Sequence, residues 1–170
     1  MSARAAWRVE TLGFDRVHRY QPGKEDWIAA GLPREGTLAA EPRVADAANP
    51  DTLTCSPHDS AGEVQRRIRA RGTDLCVVVN DHRIVLGVVR EAALSGDPNM
   101  PIDNILDPGP LTYRPHTLLT EIVKRMQESK GRIRRILVTT SDGELIGLLR
   151  RPEAEQFLNA KQQGSRQNAA

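Results

Sequence analysis

Hydrophobic and polar positions fall into one order twice along this chain. Leu75 to Asn80 is a near-continuous apolar run, Asp81-His82-Arg83 is polar, and Ile84 to Val89 is apolar again around Gly87. Ile136 to Thr140, Ser141-Asp142-Gly143 and Leu145 to Leu149, with Gly147 at its centre, repeat that order. Each set reads as strand, turn and return strand, and the Asp-Gly pair is a strong hairpin signal. Unbroken apolar strands of this kind are expected where both faces of a sheet are covered. A helical period precedes each hairpin. Ala61, Val64 and Ile68 share one face of a helix predicted from Ser60 to Arg71, which Gly72 ends, and Leu118, Ile122 and Met126 share a face in the second copy. After each hairpin a helix starts again, at Arg90 to Leu94 and at Arg151-Pro152-Glu153, where Pro suits a first turn.

The duplication reaches further upstream. Val44-Ala45-Asp46-Ala47 answers Ile102-Asp103-Asn104-Ile105, Pro50 answers Pro108, and Leu53-Thr54 and Pro57-His58 recur unchanged as Leu111-Thr112 and Pro115-His116, 58 residues later. The glycine cores Gly87 and Gly147 are 60 apart, so the second copy gains two residues, placed near Lys130-Gly131 in the connection between helix and strand. Two related units follow, over residues 43–98 and 99–159, joined to residues 1–36 by a linker at 37–42. Residues 160–170 are small and polar and are expected to form a flexible tail. Ahead of the repeats, Ala5 to Leu12 reads as a short helix stopped by Gly13, Arg16 to Tyr20 as a short strand, Pro22-Gly23 as a turn, and Asp26 to Ala30 as a helical turn ended by Gly31 and Pro33.

Composition narrows the function classes. The net charge is +2, too mild to argue for nucleic acid, and aromatic residues are only 4%, so stacking platforms for single strands are not expected. No apolar run approaches the ~20 residues of a membrane helix, and no secretory leader pattern opens the chain, so a cytoplasmic protein is expected. The two cysteines, Cys55 and Cys76, lie in apolar surroundings and read as buried inert thiols in a reducing compartment. His58 and His116 follow proline at matching places. No cysteine or carboxylate cluster has ligand spacing around them, so they read as structural and no metal site is expected.

Two resemblances follow from these residues. Ala5-Ala6, Leu12-Gly13-Phe14, Val17, Tyr20, Gly23-Lys24, Asp26-Trp27 and Gly31-Leu32-Pro33 resemble the closing segment of a rhodanese (sulfurtransferase) domain. That family carries its nucleophilic Cys in a loop before this helix, and the matching stretch does not include it. The segment is therefore expected to be a remnant kept for packing, with Trp7, Phe14, Tyr20 and Trp27 burying apolar area against the body of the protein or a second subunit. Residues 43–159 resemble a tandem pair of CBS domains, a Bateman module: a helical turn, an h-x-T-x-x-P segment, a helix, a hairpin with h-G-h-h and a closing helix occur in order twice. The resemblance implies an α+β fold, with two small three-stranded sheets and flanking helices packed by pseudo-two-fold symmetry, here with a short N-terminal αβ extension. It also implies two inter-repeat clefts, which in many members bind adenosine nucleotides, and frequent dimerisation into a disk.

A purine needs an apolar slot beside backbone polar groups, expected around Val77-Val78 and Leu137-Val138, and phosphate needs basic groups or a helix N-terminus. In the family, ribose is held by Asp in G-h-h-T/S-x-x-D. Here the corresponding residues after Gly87 are Arg90 and Ala93, and after Gly147 they are Arg150 and Glu153. The first cleft has lost its ribose acceptor, whereas the second keeps a carboxylate one methylene longer. The candidate ligand-binding residues are Thr54, Arg90, Thr112, Arg114, Arg135, Arg150 and Glu153. For Arg90 and Arg150 two readings stay open: each binds an anion, or each pairs with a neighbouring carboxylate and fills the ligand's space. No catalytic residue is assigned. The sequence is read as a non-enzymatic regulatory protein without an obligatory cofactor, sensing an adenine nucleotide such as AMP, ADP or ATP, or another anion. The alternative is a dimerisation or protein-docking module with vestigial clefts. A homodimer and an unidentified protein partner are expected, without membrane or nucleic acid.

Overall fold

In the computed structural model, residues 3–18, 20 and 23–167 are described. Two αβ units face each other through their sheets. The first sheet runs β1 (Thr54–Cys55), β2 (Leu75–Val79), β3 (Val85–Arg90) and β4 (Asp107–Pro108) in that order, and the second β5 (Thr112–Tyr113), β6 (Arg135–Thr139) and β7 (Leu145–Arg150). The central hairpins have the same register, Val78 opposite Gly87 and Val138 opposite Gly147, with a bulge one residue later in each. The second sheet has the three strands expected. The first gains a fourth, because the segment leading into the second unit pairs with it.

Side chains along the hairpin strands alternate between two cores, as a period of two dictates. In β2, Cys76 and Val78 enter the first unit's own core with Ala61, Val64 and Ile68 of α4 (Ala61–Ala70). Leu75 and Val77 point the other way and meet Val88, Leu137, Leu145 and Leu148 in a core shared by both sheets. Ile136 and Val138 of β6 pack under α5 (Leu119–Glu128) and α6 (Arg151–Gln167) with Met126, Leu149 and Ala154. Each hairpin is thus apolar on both faces, which explains its unbroken runs.

The two units exchange their leading segments. α3 (Val44–Ala47) precedes the first unit, yet Val44 lies in the second unit's core. The 3₁₀ turn Ile102–Asn104 precedes the second unit, and Ile102 lies in the first unit's core. The chain after each turn adds to the sheet it has crossed to: Asp107 pairs with Val88, and Asn49 with Leu148. The hairpin turns also meet across the pseudo-two-fold, by Val85 N–H to the Gly143 carbonyl and Leu145 N–H to the Arg83 carbonyl, both 3.0 Å. The unit boundaries expected at residues 43 and 99 therefore describe the order of the chain, while the packing is interleaved.

The two-residue gain can now be placed. Arg71 and Ser129 close equivalent helices, and Gly72 (φ 60°) and Lys130 (φ 52°) follow in the same left-handed conformation. The extra pair is Gly131-Arg132, between α5 and β6.

Several expectations are corrected. α5 starts at Leu119, and the buried face is Leu119, Ile122, Val123 and Met126. Leu118 sits before the helix, bridging to Arg43. Helix α6 continues through Gln167, past Lys161 where fraying is expected, and residues 168–170 of that tail lie outside the described ones. In the N-terminal extension, α1 (Ala3–Thr11) and α2 (Gly23–Ala29) form, but the strand expected from Arg16 to Tyr20 does not, since residues 16–18 and 20 gain no sheet edge to pair with. Arg19 and Pro22 lie outside the described residues. Trp27 is half-buried, edge-on to Tyr20 at 5.1 Å, and its indole N–H donates to the Pro33 carbonyl. Trp7 and Phe14, expected to bury apolar area, are each 61% exposed within the single chain.

The exchange leaves no room at either glycine core. A Cβ on Gly147 would lie 2.5 Å from the Asn49 carbonyl oxygen, and one on Gly87 would lie 2.8 Å from that of Asp107. Backbone cannot yield as a side-chain tip can, so overpacking of about 1–3 kcal/mol is expected for Gly147→Ala. Urea unfolding measures it, and an unchanged midpoint would show that the crossed segment is not held at this distance.

Candidate functional site

The facing sheets and their crossed segments enclose two clefts related by the pseudo-two-fold. The Arg150 cleft, of about 300 Å³, lies between the segment Asn49–Leu53, Thr73 and the start of α6. The Arg90 cleft, of about 440 Å³, lies between Asp107, Pro110-Leu111 and the connection Gly131–Arg135. Leu75 and Leu148 contribute to both floors.

In the Arg150 cleft the polar groups already satisfy one another. Glu153 stands at the third position of α6 and accepts from the Arg150 backbone N–H at 3.2 Å, as the acidic member of a capping box does. Its other oxygen accepts from Arg150 Nη1 at 3.3 Å, while Nη2 reaches the Thr73 hydroxyl at 3.1 Å. Arg71 pairs with Asp51 at 2.7 Å. The four charged side chains that line this cleft therefore sum to zero. Thr52 ties the wall, donating to the Asn49 carbonyl (2.7 Å) and accepting from Leu148 N–H (3.0 Å).

The Arg90 cleft differs in charge. Arg90 pairs with Asp107 of β4 at 3.3 Å, both well exposed. Arg135 grips Asp74 with two bonds of 2.6 and 2.7 Å. Arg132 and Arg134 have no carboxylate partner among the described residues; each donates only Nε to a carbonyl of its own turn, at 3.4 and 3.2 Å. Val88, Leu111, Ile133, Leu137 and Leu148 make the apolar floor. Thr73 and Asp74 are consecutive, so one short turn touches Arg150 in one cleft and Arg135 in the other.

Four of the seven candidate ligand residues are brought to the clefts: Arg90 and Arg135 to one, Arg150 and Glu153 to the other. Thr54 and Thr112, at the starts of β1 and β5 opposite Val77 and Leu137, line neither cleft. Arg114 turns to the far end of its sheet, donating to the Thr140 carbonyl and to the Thr139 hydroxyl. Of the strand residues expected to flank a base, Leu137 lines a cleft, while Val77, Val78 and Val138 are buried in the cores. Sequence reasoning missed Thr52, Arg71, Arg132 and Arg134. The signal for the last two was available, since both belong to the basic run around the two-residue gain. Cys55 and Cys76 are buried free thiols on adjacent strands, and a hydrogen bond to Cys55 together with burial pushes the Cys76 thiol up. Among the described residues no group of three or more His, Cys, Asp or Glu is placed to hold a metal ion, and no helix is long and apolar enough to cross a membrane.

Comparison with known proteins agrees with this architecture. The family profile described as CBS domain matches residues 44–95 and 102–153. The chain belongs to the CBS-domain family. Among solved structures, the CBS domains of a transcriptional regulator from Streptococcus pneumoniae superpose with a TM-score of 0.59 at 19% identity, covering 67% of this chain and 97% of that one. CBSX2 in complex with AMP gives 0.62 at 22% identity, covering 70% and 97%. The cytosolic domain of the Mg2+ channel MgtE in complex with ATP gives 0.60 at 20%, covering 71% and 51%. These identities establish a common fold. No curated protein matches the sequence. The protein is a CBS pair carrying an N-terminal extension.

The Arg135–Asp74 bridge is a two-bond ion pair between the repeats. Hydrogen bonding from Arg135 holds the Asp74 carboxyl below its ordinary value, against the smaller opposing effect of burial. A carboxyl depressed on folding stabilises the fold above its unfolded pKa of ~3.9 and loses that stabilisation as pH falls through the lower folded value. Asp74 is 60% exposed, so Asp74→Asn is expected to cost at most about 1 kcal/mol near neutral pH. The gap from the unaltered chain closes in acid. Denaturation across pH measures it, and a gap unchanged in strong acid would show that the charge pair is not its origin.

Proposed function

We propose that this CBS pair is a regulatory, non-catalytic module that senses an adenosine nucleotide or another anionic small molecule in an inter-repeat cleft. One observation carries the reading: the inter-repeat clefts share an apolar floor, and in the Arg90 cleft it meets a basic mouth, the pairing that an aromatic base with a phosphate chain requires. The AMP and ATP complexes of similar folds support the same ligand class. Ligand binding would act on the relation between repeats, because each cleft is walled by both units and the turn Thr73-Asp74 serves both. The recipient of the signal would be a second copy or another cytoplasmic protein. Calorimetry with AMP, ADP and ATP is expected to show saturable heats at micromolar to millimolar ligand. Flat heats across the panel at millimolar concentration would remove the reading.

A second reading is favoured by a separate observation. Trp7, Leu12 and Phe14 of the extension are all more than half exposed, an unusual placement for large apolar side chains. It makes the extension a dimerisation or docking surface, and the Arg150–Glu153 pair a plug in a cleft no longer used. Sedimentation velocity separates its dimer form from the ligand-sensing reading. A dimer that Trp7→Ala with Phe14→Ala converts to monomer would support that surface, and a dimer indifferent to both changes would exclude it.

A further inference from the structure

Residue by residue, the two clefts do not offer the same chemistry, although the fold relates them by symmetry. The Arg150 cleft retains the carboxylate that a sugar diol would need, but that carboxylate already accepts from the Arg150 backbone and guanidinium. A ligand there must compete with bonds formed within one helix turn, in a space of about 300 Å³ whose charges balance. The Arg90 cleft has about 440 Å³ and an apolar floor. Its mouth gathers Arg90, Arg132, Arg134 and Arg135 against only Asp107 and Asp74, each already engaged by one arginine. Two positive charges are therefore left over, those of Arg132 and Arg134, and the guanidinium ends of both remain available. The Gly131-Arg132 insertion, absent from the first repeat, brings Arg132 to this mouth. A neighbouring recess of about 430 Å³, touched by Arg134, Arg135, Arg150 and Arg151, continues the basic surface outward. The residue at the sugar-acceptor position of this cleft is Ala93, which is exposed and has no side-chain acceptor.

We infer that the ligand occupies the Arg90 cleft, and that it is a polyanion carrying two or more phosphate-type charges on an apolar, ring-like end, bound without recognition of a vicinal diol. This rests on the ligand-sensing reading above and reverses the preference for the Arg150 cleft that the retained carboxylate suggests. The floor Val88, Leu111, Leu137 and Leu148 takes the ring. Arg132 and Arg134 reach the terminal phosphates as charge-assisted donors, for which planar guanidinium is suited. Because Arg90 and Arg135 are held by Asp107 and Asp74, they set the field at the mouth, and the extra arginines count the phosphates.

Calorimetry with ATP, 2′-deoxy-ATP, AMP and inorganic tripolyphosphate tests this on the full chain and on an Arg132→Ala/Arg134→Ala variant. Both side chains are exposed, and circular dichroism and thermal unfolding verify that the variant is folded. ATP is expected to bind about tenfold more tightly than AMP, the scale of one or two charge-assisted hydrogen bonds. 2′-Deoxy-ATP is expected to match ATP within about twofold, and tripolyphosphate to bind more weakly for want of a ring. In the double variant the ATP-to-AMP ratio should collapse towards one, a change that general destabilisation would not produce. A tenfold preference for ATP over its deoxy form would show that the sugar hydroxyls are recognised and overturn the inference while leaving ligand sensing intact. So would a ratio untouched by the double variant, or tripolyphosphate binding as tightly as ATP. Silence from every nucleotide would instead overturn the ligand-sensing reading and this inference with it.

Discussion

Neither repeat of this chain closes its own core. Val44, from the turn ahead of the first unit, seals the second, and Ile102, from the turn ahead of the second, seals the first, both fully buried. The crossing segments then run over the opposite hairpins at Gly147 and Gly87, where only backbone without a Cβ permits the approach. This exchange makes two small units one folded body. Units of some fifty residues bury a smaller fraction of their surface than larger domains do, and sharing both the leading segments and the inter-sheet core offsets that limit. The clefts are a by-product of the same geometry: each is the gap left where a crossing segment leaves the sheet it has just joined.

The hairpins and the long helices were legible in the sequence because their signals are local and doubled. A strand covered on both faces must be apolar at every position, and two copies 60 residues apart say so twice. The exchange was not legible. A four-residue turn has the same pattern whichever unit it packs on, so periodicity places Val44 in a core without saying which core. The same limit applies to side-chain direction. Residue type and order along the chain point to Thr54, Thr112 and Arg114, but they do not say which way each side chain turns. Arg114 turns to the Thr140 carbonyl, Thr54 and Thr112 line neither cleft, and Thr52 reaches a cleft wall. The expected N-terminal strand failed for a related reason, since alternation alone cannot supply the neighbouring edge that a strand needs.

Symmetry of fold and asymmetry of charge pull the two clefts apart. Backbone positions 87 and 147, 83 and 143, and 72 and 130 superimpose in role, including their left-handed turns. Side chains do not follow. Where one repeat has Thr73-Asp74 before its strand, the other has Ile133-Arg134, preceded by the extra Gly131-Arg132. Acid on one side and base on the other bring the two connections together, and Arg135 on Asp74 is the contact that results. The bridge uses Asp74 of one connection and Arg135 at the first position of β6, where the other repeat has Leu75, while Arg132 and Arg134 of the second connection charge the Arg90 cleft.

That linkage bears on how occupancy of a cleft could be felt elsewhere. Thr73 holds Arg150 and Asp74 holds Arg135, so a shift of this turn alters both mouths at once. On the proposed reading, an anion at the arginines of the larger cleft would compete with Asp74 for Arg135. Loosening there would reach the Thr73–Arg150 contact one residue along, and through Arg150 the first turn of α6. A seventeen-residue helix begins at that point and packs its first turns, through Ala154, Phe157 and Leu158, on the second unit's core; it is the longest helix among the described residues. The physical path from cleft to surface is thus short: two neighbouring side chains of one turn, each committed to a different arginine, with the start of a long helix resting on the second.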